Sequence, residues 1–278
     1  MIVDAQIHLW PPDGPEHPWP PGAHERVKAH PRTLESAETV LAEMDAAGVS
    51  RAVLVPPTFA GGWNDVCLDA AARYPDRFAV MGAFDLDQLE REQTLRRWRA
   101  TPGMLGLRIT LSRGASQTWL RDGTIDWLWE IAAEAGIPIY VLPPDLIPEI
   151  RTLALRFPTL KLVVDHLALR TGARDEAVGA AVQELAQLAD LPNIAVKADC
   201  LPSYVSESYP FPGLQKVIRD VVAMFGTRRV FWGSDLSRLP CTYEEVVRLF
   251  TAEVDGLSAA DLDWVMGRGL CEWLGWPL

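Results

Sequence analysis

The sequence predicts an α/β protein, a (β/α)₈ TIM barrel that forms a single domain over residues 1–278. Two observations predict this fold. Short apolar runs alternate with amphipathic segments of helical periodicity, and no linker, internal repeat or low-complexity stretch divides the chain. Eight apolar runs with helical segments between them favour a closed barrel over an open sheet.

The predicted strands are mostly continuous apolar runs, as expected for parallel strands that are covered on both faces. Pro138 lies at the entry of the fifth strand, where a missing backbone donor costs least. In chain order the strands are IVDAQIH (2–8), RAVLVP (51–56), FAVMGAF (78–84), LGLRIT (105–110), IPIYVL (137–142), LKLVVDH (160–166), NIAVKAD (193–199) and RVFWGSD (229–235).

Amphipathic segments fill the intervals between these strands. Gly48 and Gly136 follow two of them, where a left-handed residue ends a helix at low cost. The clearest segments are 35–48, 63–74, 126–136, 149–157 and 213–225. The stretch 257–276 is expected to form a last helix that packs under or across the barrel.

Two irregular insertions follow predicted strands. Residues 9–33, after the first strand, form a long proline-rich loop with too many prolines and glycines for a helix or a strand. Residues 200–212 form a second loop after the seventh strand. Both follow carboxyl ends of strands, where a barrel carries its substrate loops, so we expect them to border the active site.

Charge and composition exclude some classes of partner. A net charge of -11 gives no basic footprint for nucleic acid, and no apolar run approaches the ~20 residues of a membrane helix. The amino terminus lacks the basic and apolar regions of a signal peptide, which predicts a cytoplasmic protein. The four cysteines are interpreted as reduced thiols without a catalytic role. The oligomeric state is left open.

Three polar residues end predicted strands and meet only if the barrel closes. His8 ends the first strand, His166 the sixth and Asp235 the eighth. Asp4, Gln6 and His8 lie two residues apart, so regular alternation would place all three on one face. Polar residues at one level of a barrel mouth form a candidate active site.

Cationic and aromatic residues follow the same strand ends. Arg108 and Lys197 lie at the ends of the fourth and seventh strands, which suggests an anionic small-molecule substrate. The alternative is that they pair with a barrel carboxylate such as Asp199. Further candidates for substrate contact are Tyr204 and Arg238 on loops, Trp10 as an apolar wall, and the loop residues Arg113, Arg170, His17, His24 and His30.

Four motifs carry a resemblance to a known family. DAQIHLW, GLRI, VVDH and WGSD resemble the signature positions of the amidohydrolase-related family within the amidohydrolase superfamily, across nearly the whole chain. The family usually has His-x-His on the first strand and a histidine at the end of the fifth. Here Gln6 and Leu142 stand at those positions.

The departures bear on metal binding. A catalytic zinc site uses three good protein donors, and an amide oxygen is a poor one. We therefore predict no metal and no other cofactor, with Gln6 instead orienting His8 or the substrate. A bound divalent ion such as zinc is the less favoured alternative.

The sequence resembles the metal-independent branch of the family typified by 2-pyrone-4,6-dicarboxylate lactonase. The resemblance implies that Asp235 activates water while basic residues hold the substrate and polarise its carbonyl. From their positions we predict that His166, His8 and Lys197 assist Asp235 and that the substrate is bound by Gln6, Arg108, Tyr204, Arg238 and Trp10. We predict hydrolysis of a lactone or cyclic ester that bears a carboxylate. The alternatives are a metal-dependent decarboxylase of an aromatic or unsaturated acid, a lactone isomerase, and a barrel that has lost catalysis.

Overall fold

Eight parallel strands form one sheet in chain order, from β1 next to β2 through to β8. The computed structural model describes residues 1–28, 30–57, 61–112 and 114–278. The strands are β1 (Val3–Ile7), β2 (Arg51–Leu54), β3 (Phe78–Ala83), β4 (Met104–Thr110), β5 (Ile139–Leu142), β6 (Leu162–Val164), β7 (Ile194–Asp199) and β8 (Val230–Gly233). The predicted strands are confirmed, with ends that differ by at most two residues.

Backbone contacts between β8 and β1 bring the two ends of the sheet together. The backbone N–H of Asp235, just after β8, donates to the carbonyl oxygen of Gln6 at 3.0 Å. Gly233 permits the approach, because a Cβ there would lie 3.2 Å from Ala5 Cβ and 3.0 Å from Asp199 Cβ. The prediction of a (β/α)₈ barrel is thereby confirmed.

Helices lie between and after the strands, and the longer ones bury one apolar face. In α9, Leu214, Ile218, Val221 and Phe225 recur at helical spacing and are all buried. The helices are α1 (Ala23–Lys28), α2 (Ala37–Ala46), α3 (Asn64–Arg73), α4 (Arg91–Arg96), α5 (Trp119–Asp122), α6 (Asp126–Glu134), α7 (Ile147–Arg156), α8 (Glu176–Leu185), α9 (Pro212–Phe225), α10 (Tyr243–Arg248), α11 (Ala259–Asp263) and α12 (Gly269–Leu274). None of the described helices is long and apolar enough to cross a membrane.

Two expectations about individual segments were wrong. The insertion 9–33 contains a helix, α1, because the stretch between Pro21 and Pro31 is free of proline. The carboxyl-terminal stretch is two helices rather than one, since a π-helical turn at Trp264–Arg268 separates α11 from α12. Gly267 within that turn lies so close to β1 that a Cβ would come within 2.7 Å of a methyl group of Val3.

The apolar core has two layers, as alternation along the strands dictates. An outer layer fills the space between strands and helices, and an inner cluster fills the barrel. Every strand contributes to the inner cluster, for example Val53 of β2, Tyr140 of β5 and Phe231 of β8. Leu270 and Leu274 of α12 join it, so this last helix closes one end of the barrel.

Asp4 does not share a face with Gln6 and His8, contrary to the expectation from regular alternation. Val3 and Ala5 point into the barrel, and Asp4 points toward α10. The register between β1 and β2 shifts between Asp4 and Ile7, and this irregularity turns Gln6 inward. Asp4 accepts hydrogen bonds from the backbone N–H groups of Gln6 and Ser234, each at 2.9 Å, and from the hydroxyl of Tyr243 at 2.6 Å.

We expect Asp4→Asn to raise stability at neutral pH. Burial raises the pKa of Asp4 to about 6, above the ordinary 3.8, although its hydrogen bonds oppose the shift. The folded state therefore holds this proton more tightly, and stability falls by about 3 kcal/mol as pH rises from about 4 to about 6. Asparagine keeps both backbone contacts on Oδ1 and donates to the Tyr243 oxygen instead.

Denaturant unfolding at about pH 4 and about pH 7 measures this difference. The wild type should lose stability over that interval and Asp4→Asn should lose less. A variant that is less stable than the wild type at the higher pH would contradict the expectation.

Candidate active site

The residues that begin the loops after β6, β7 and β8 have left-handed backbone conformations. The φ angles are 50° at His166, 59° at Cys200 and 50° at Asp235. Residues other than glycine rarely adopt the left-handed backbone region, and those that do are concentrated at functional sites. The backbone N–H groups of two of these residues are bonded, that of His166 to the side-chain Oδ1 of Asp199 and that of Asp235 to the carbonyl oxygen of Gln6, each at 3.0 Å. The turns direct His166 and Asp235 to a common point with His8.

The two histidines are anchored through their Nδ1 atoms. His8 Nδ1 lies 2.7 Å from the carbonyl oxygen of Val55, and His166 Nδ1 lies 2.9 Å from Asp199 Oδ1. Both partners only accept, so Nδ1 carries the hydrogen in each ring. Burial lowers the pKa of His8 to about 4, against the opposing charge of Asp235, so this ring is neutral at pH 7. A neutral ring with a protonated Nδ1 has its lone pair on Nε2.

Gln6 lies between the two rings and a buried ammonium group. Its Nε2 is 3.3 Å from His8 Nε2 and 3.5 Å from His166 Nε2, and its Oε1 accepts a hydrogen bond from Lys197 Nζ. An ammonium group only donates, so the amide oxygen must face Lys197 and the amide NH₂ must face the histidines. Gln6 therefore donates to the imidazole lone pairs.

Lys197 is wholly enclosed and paired. Its Nζ lies 3.0 Å from Asp165 Oδ1 and 3.2 Å from Asp199 Oδ2, over the ring of Tyr140 at 4.3 Å. Arg108 Nε donates to the other oxygen of Asp165 at 2.7 Å. Both cations, Arg108 and Lys197, are thus paired with barrel carboxylates in the structure, which is the alternative that the sequence left open. Lys197 Nζ faces Gln6 Oε1, Asp165 Oδ1 and Asp199 Oδ2, one acceptor for each of its N–H groups, so we assign it to positioning rather than to contact with the substrate.

Asp235 is the carboxylate that faces the histidines. Its Oδ1 lies 3.4 Å from His8 Nε2, and its Oδ2 lies 3.5 Å from Arg238 Nη1 and 3.9 Å from His166 Nε2. Oδ1 is buried and has no hydrogen-bond donor among the described residues. Burial raises the pKa of Asp235, but His8, which is protonated at the acid pH where this carboxyl titrates, and Arg238 outweigh burial and hold it below its usual range. The group is therefore ionised and open to a donor such as water.

Arg238 and the loop residues around it border the same point. Arg238 Nη1 donates to the hydroxyl oxygen of Tyr204 at 3.3 Å, and Tyr204 is itself buried. His30 bonds through Nδ1 to Ser237 Oγ at 2.9 Å. Trp10 packs edge-on against His30 at 5.7 Å and is fully buried, so its indole supports the loop from behind.

Arg32 ties the long loop after β1 to the loop after β8. Its guanidinium donates to the backbone oxygens of Leu239 at 2.9 Å and Cys241 at 2.7 Å, and more weakly to that of Leu236 at 3.4 Å. Sequence reasoning did not single out Arg32 or Asp165. Asp165 could have been recognised from its position directly before His166.

Other candidates from the sequence lie apart from this cluster. Arg170 pairs with Asp145, both largely exposed, and His17 and His24 pair with Asp65 and Asp13. Arg113 lies outside the described residues. All four cysteines are free, and burial raises the pKa of the Cys200 thiol well above its ordinary value, which argues against a thiolate nucleophile.

The charges of the site cancel. Three cations, Arg108, Lys197 and Arg238, face three carboxylates, Asp165, Asp199 and Asp235. The formal charges of these six described side chains therefore sum to zero. Asp235 can therefore accept or release a proton, and the arginines can donate hydrogen bonds, in a cluster without an excess of positive or negative charge.

Comparison with known proteins gives the class of this enzyme, an amidohydrolase-type hydrolase. The amidohydrolase family model matches residues 3–268, and the chain belongs to that family. It is 30% identical to an L-fucono-1,5-lactonase from Burkholderia ambifaria, over 85% of this chain and 81% of that protein. The predicted family and the prediction of an enzyme are confirmed.

Solved structures agree in fold. An amidohydrolase from Burkholderia multivorans with bound zinc has a TM-score of 0.82 at 21% identity, with full coverage of both chains. A protein from Acinetobacter baumannii, assigned as a 2-pyrone-4,6-dicarboxylic acid hydrolase and holding citric acid, has a TM-score of 0.77 at 17% identity, with 99% of each chain covered. At these identities the likeness shows the fold alone.

The zinc-bound relative raises the question of whether these residues fit a metal. His8, His166 and Asp235 are suitable donor types, and their Nδ1 anchors resemble those of metal ligands. Gln6 does not fit, because its NH₂ takes up both Nε2 lone pairs and directs hydrogens toward the centre of the cluster. Turning the amide over would set its NH₂ against the Lys197 ammonium. The set as it stands opposes a cation.

Proposed function

We propose that this enzyme hydrolyses a lactone without a metal ion, with Asp235 as general base. The observation that carries the proposal is the buried, ionised Asp235, whose Oδ1 lacks a hydrogen-bond donor among the described residues and lies beside two imidazoles. A water at this oxygen could donate its proton to Asp235 while its own oxygen attacks an ester carbonyl. The lactonase relative supports the same reaction class.

The reaction balances with the residues present. Asp235 takes a proton from water as the water oxygen bonds to the lactone carbonyl carbon. The ring C–O bond then breaks, and the leaving alkoxide takes the proton from Asp235, which gives a hydroxy acid. Because the low pKa of Asp235 limits its strength as a base, the reaction needs an activated ester and fixed donors for the oxyanion.

Arg108 and Arg238 are the candidate donors for that oxyanion. Arg108 bonds Asp165 through Nε and lies close enough to His8 to lower the pKa of that ring. Arg238 reaches Asp235 at 3.5 Å. Both guanidiniums carry further N–H groups, so each can hold a carboxylate partner and donate to substrate as well. Lys197 acts through Gln6.

The charge balance bears on the substrate. The sequence predicted a lactone with a carboxylate, on the basis of cations at the strand ends. Those cations are paired with carboxylates in the structure, which favours an uncharged lactone. A sugar lactone also matches the name of the lactonase relative. Decarboxylation, the alternative from the sequence, would need a metal in a cluster that opposes one.

A panel of lactones tests this function. We expect hydrolysis of neutral aldono-1,5-lactones, measured as acid release with a pH indicator, at the same rate with and without a chelator. Matched lactones with a ring carboxylate should react more slowly. Activity that disappears with the chelator, or carbon dioxide release from an aromatic acid, would contradict the proposal. Rearrangement without acid release would indicate an isomerase.

A further inference from the structure

We propose that Gln6, held in one orientation by Lys197, keeps this site free of metal by occupying a ligand position with a hydrogen-bond donor. The inference deepens the proposed metal-free reaction and concerns the same site. It rests on the positions of the four groups that surround the centre of the cluster: the Nε2 atoms of His8, His166 and Gln6, and the carboxylate of Asp235.

The distances between neighbouring groups of this cluster are near those between the ligands of a tetrahedral zinc ion. Bonds of 2.0–2.1 Å place tetrahedral ligands about 3.3 Å apart. Gln6 Nε2 lies 3.3 Å from His8 Nε2 and 3.5 Å from His166 Nε2. The two carboxylate oxygens of Asp235 divide between the rings, with Oδ1 3.4 Å from His8 Nε2 and Oδ2 3.9 Å from His166 Nε2. These four spacings are close to the edges of such a tetrahedron, with an amide NH₂ at one corner, although the described His, Cys, Asp and Glu side chains form no group that could hold a metal by themselves.

That corner has the wrong polarity for a cation. An amide nitrogen has no lone pair to offer, and its hydrogens direct positive charge toward the imidazoles. The two Nε2 lone pairs that a metal would need already accept from Gln6. The amide stabilises the two rings in the orientation that a metal would otherwise impose.

Lys197 fixes the orientation of the Gln6 amide, with its NH₂ toward the imidazoles. Its Nζ donates to Gln6 Oε1 and is held between Asp165 and Asp199, at 3.0 and 3.2 Å. Rotating the amide would place NH₂ against NH₃⁺ and oxygen against the imidazole lone pairs. Both contacts would be repulsive in a fully buried cluster, where such mismatches cost most.

The proposal predicts that one change of atom type creates a metal site. Gln6→Glu has the same shape, keeps an oxygen on Lys197 and places a second oxygen where the NH₂ was. Two histidines and two carboxylates would then surround the centre, a donor set that suits zinc. The double variant Gln6→Glu/Asp235→Asn is the matched control, because it keeps every other zinc-binding group of the protein.

The experiment loads the wild type and both variants with excess zinc, removes free metal by gel filtration and measures zinc per chain by elemental analysis. We expect about one zinc ion per chain in Gln6→Glu alone, with a zinc-dependent rise in its Tm. Circular dichroism checks that each protein is folded. The proposal fails if the wild type retains one zinc per chain, or if folded Gln6→Glu holds no more zinc than the wild type or the control.

This result is separable from the proposed function. Zinc content and Tm report on the cluster without any substrate. If the zinc pattern is as expected but the wild type hydrolyses no lactone, the function fails and this inference stands. If lactone hydrolysis is insensitive to chelator but Gln6→Glu gains no zinc, the inference fails and the function stands.

Discussion

Replacing Asp235 by asparagine should lower kcat for lactone hydrolysis by roughly 10²–10⁴-fold. Asparagine has the same shape and still offers an oxygen to Arg238, which lies 3.5 Å from the carboxylate. It cannot accept the proton of the attacking water, so the step that the site is proposed to catalyse loses its base. Initial rates at saturating lactone measure the loss.

The matched control is Asp220→Asn on α9, an exposed carboxylate paired with Lys216 by a contact that the same change weakens. We expect its kcat to equal that of the wild type. Unfolding curves for both variants separate a chemical defect from a structural one. Turnover near the wild-type value in a folded Asp235→Asn protein would remove Asp235 from the mechanism.

Lys197→Met should destabilise the folded protein by about 3–5 kcal/mol. The substitution keeps the length of the side chain but leaves Asp165 and Asp199 buried without their shared cation. Removing one partner of a buried ion cluster costs far more than the cluster itself contributes, because the remaining charges stay out of water. Denaturant unfolding at neutral pH measures the change in the free energy of unfolding.

Lys216→Met is the control for this prediction. Lys216 pairs with Asp220 at the surface, where such a pair contributes about 0–1 kcal/mol. We expect that variant to unfold near the wild-type midpoint. If Lys197→Met lost no more stability than Lys216→Met, the described ion cluster would not be an energetic unit.

The fold could be predicted from the sequence because eight apolar runs and the helical periodicity between them are local signals. It also brought together His8, His166 and Asp235, since carboxyl ends of parallel strands meet at one end of a barrel. Their roles remain predictions. The orientation of Asp4 was wrong, because an irregular register in β1 cannot be read from alternating residue types.

The pairing of Lys197 depended on contacts across the barrel. Sequence reasoning offered Asp199 as a partner but favoured a direct functional role for Lys197 over pairing, because the contacts of its side chain across the barrel cannot be read from the sequence. Asp165 was missed as the second partner, since its side chain reaches Lys197 only through the turn after β6. Long-range polar contacts of this kind produce no periodic pattern of residue types in the sequence.

The link that Arg32 makes between the loops after β1 and β8 has a consequence for how such enzymes diversify. Its hydrogen bonds to Leu239 and Cys241 depend on the backbone path of the partner loop, not on that loop's side chains. One loop carries His30 and the other Arg238, so both sides of the candidate site are coupled through main-chain geometry. The side chains of Leu239 and Cys241 can change without loss of these hydrogen bonds, whereas an insertion or deletion in one loop requires a compensating change in the other. A change of loop length that altered the substrate preference would then have to involve both loops together.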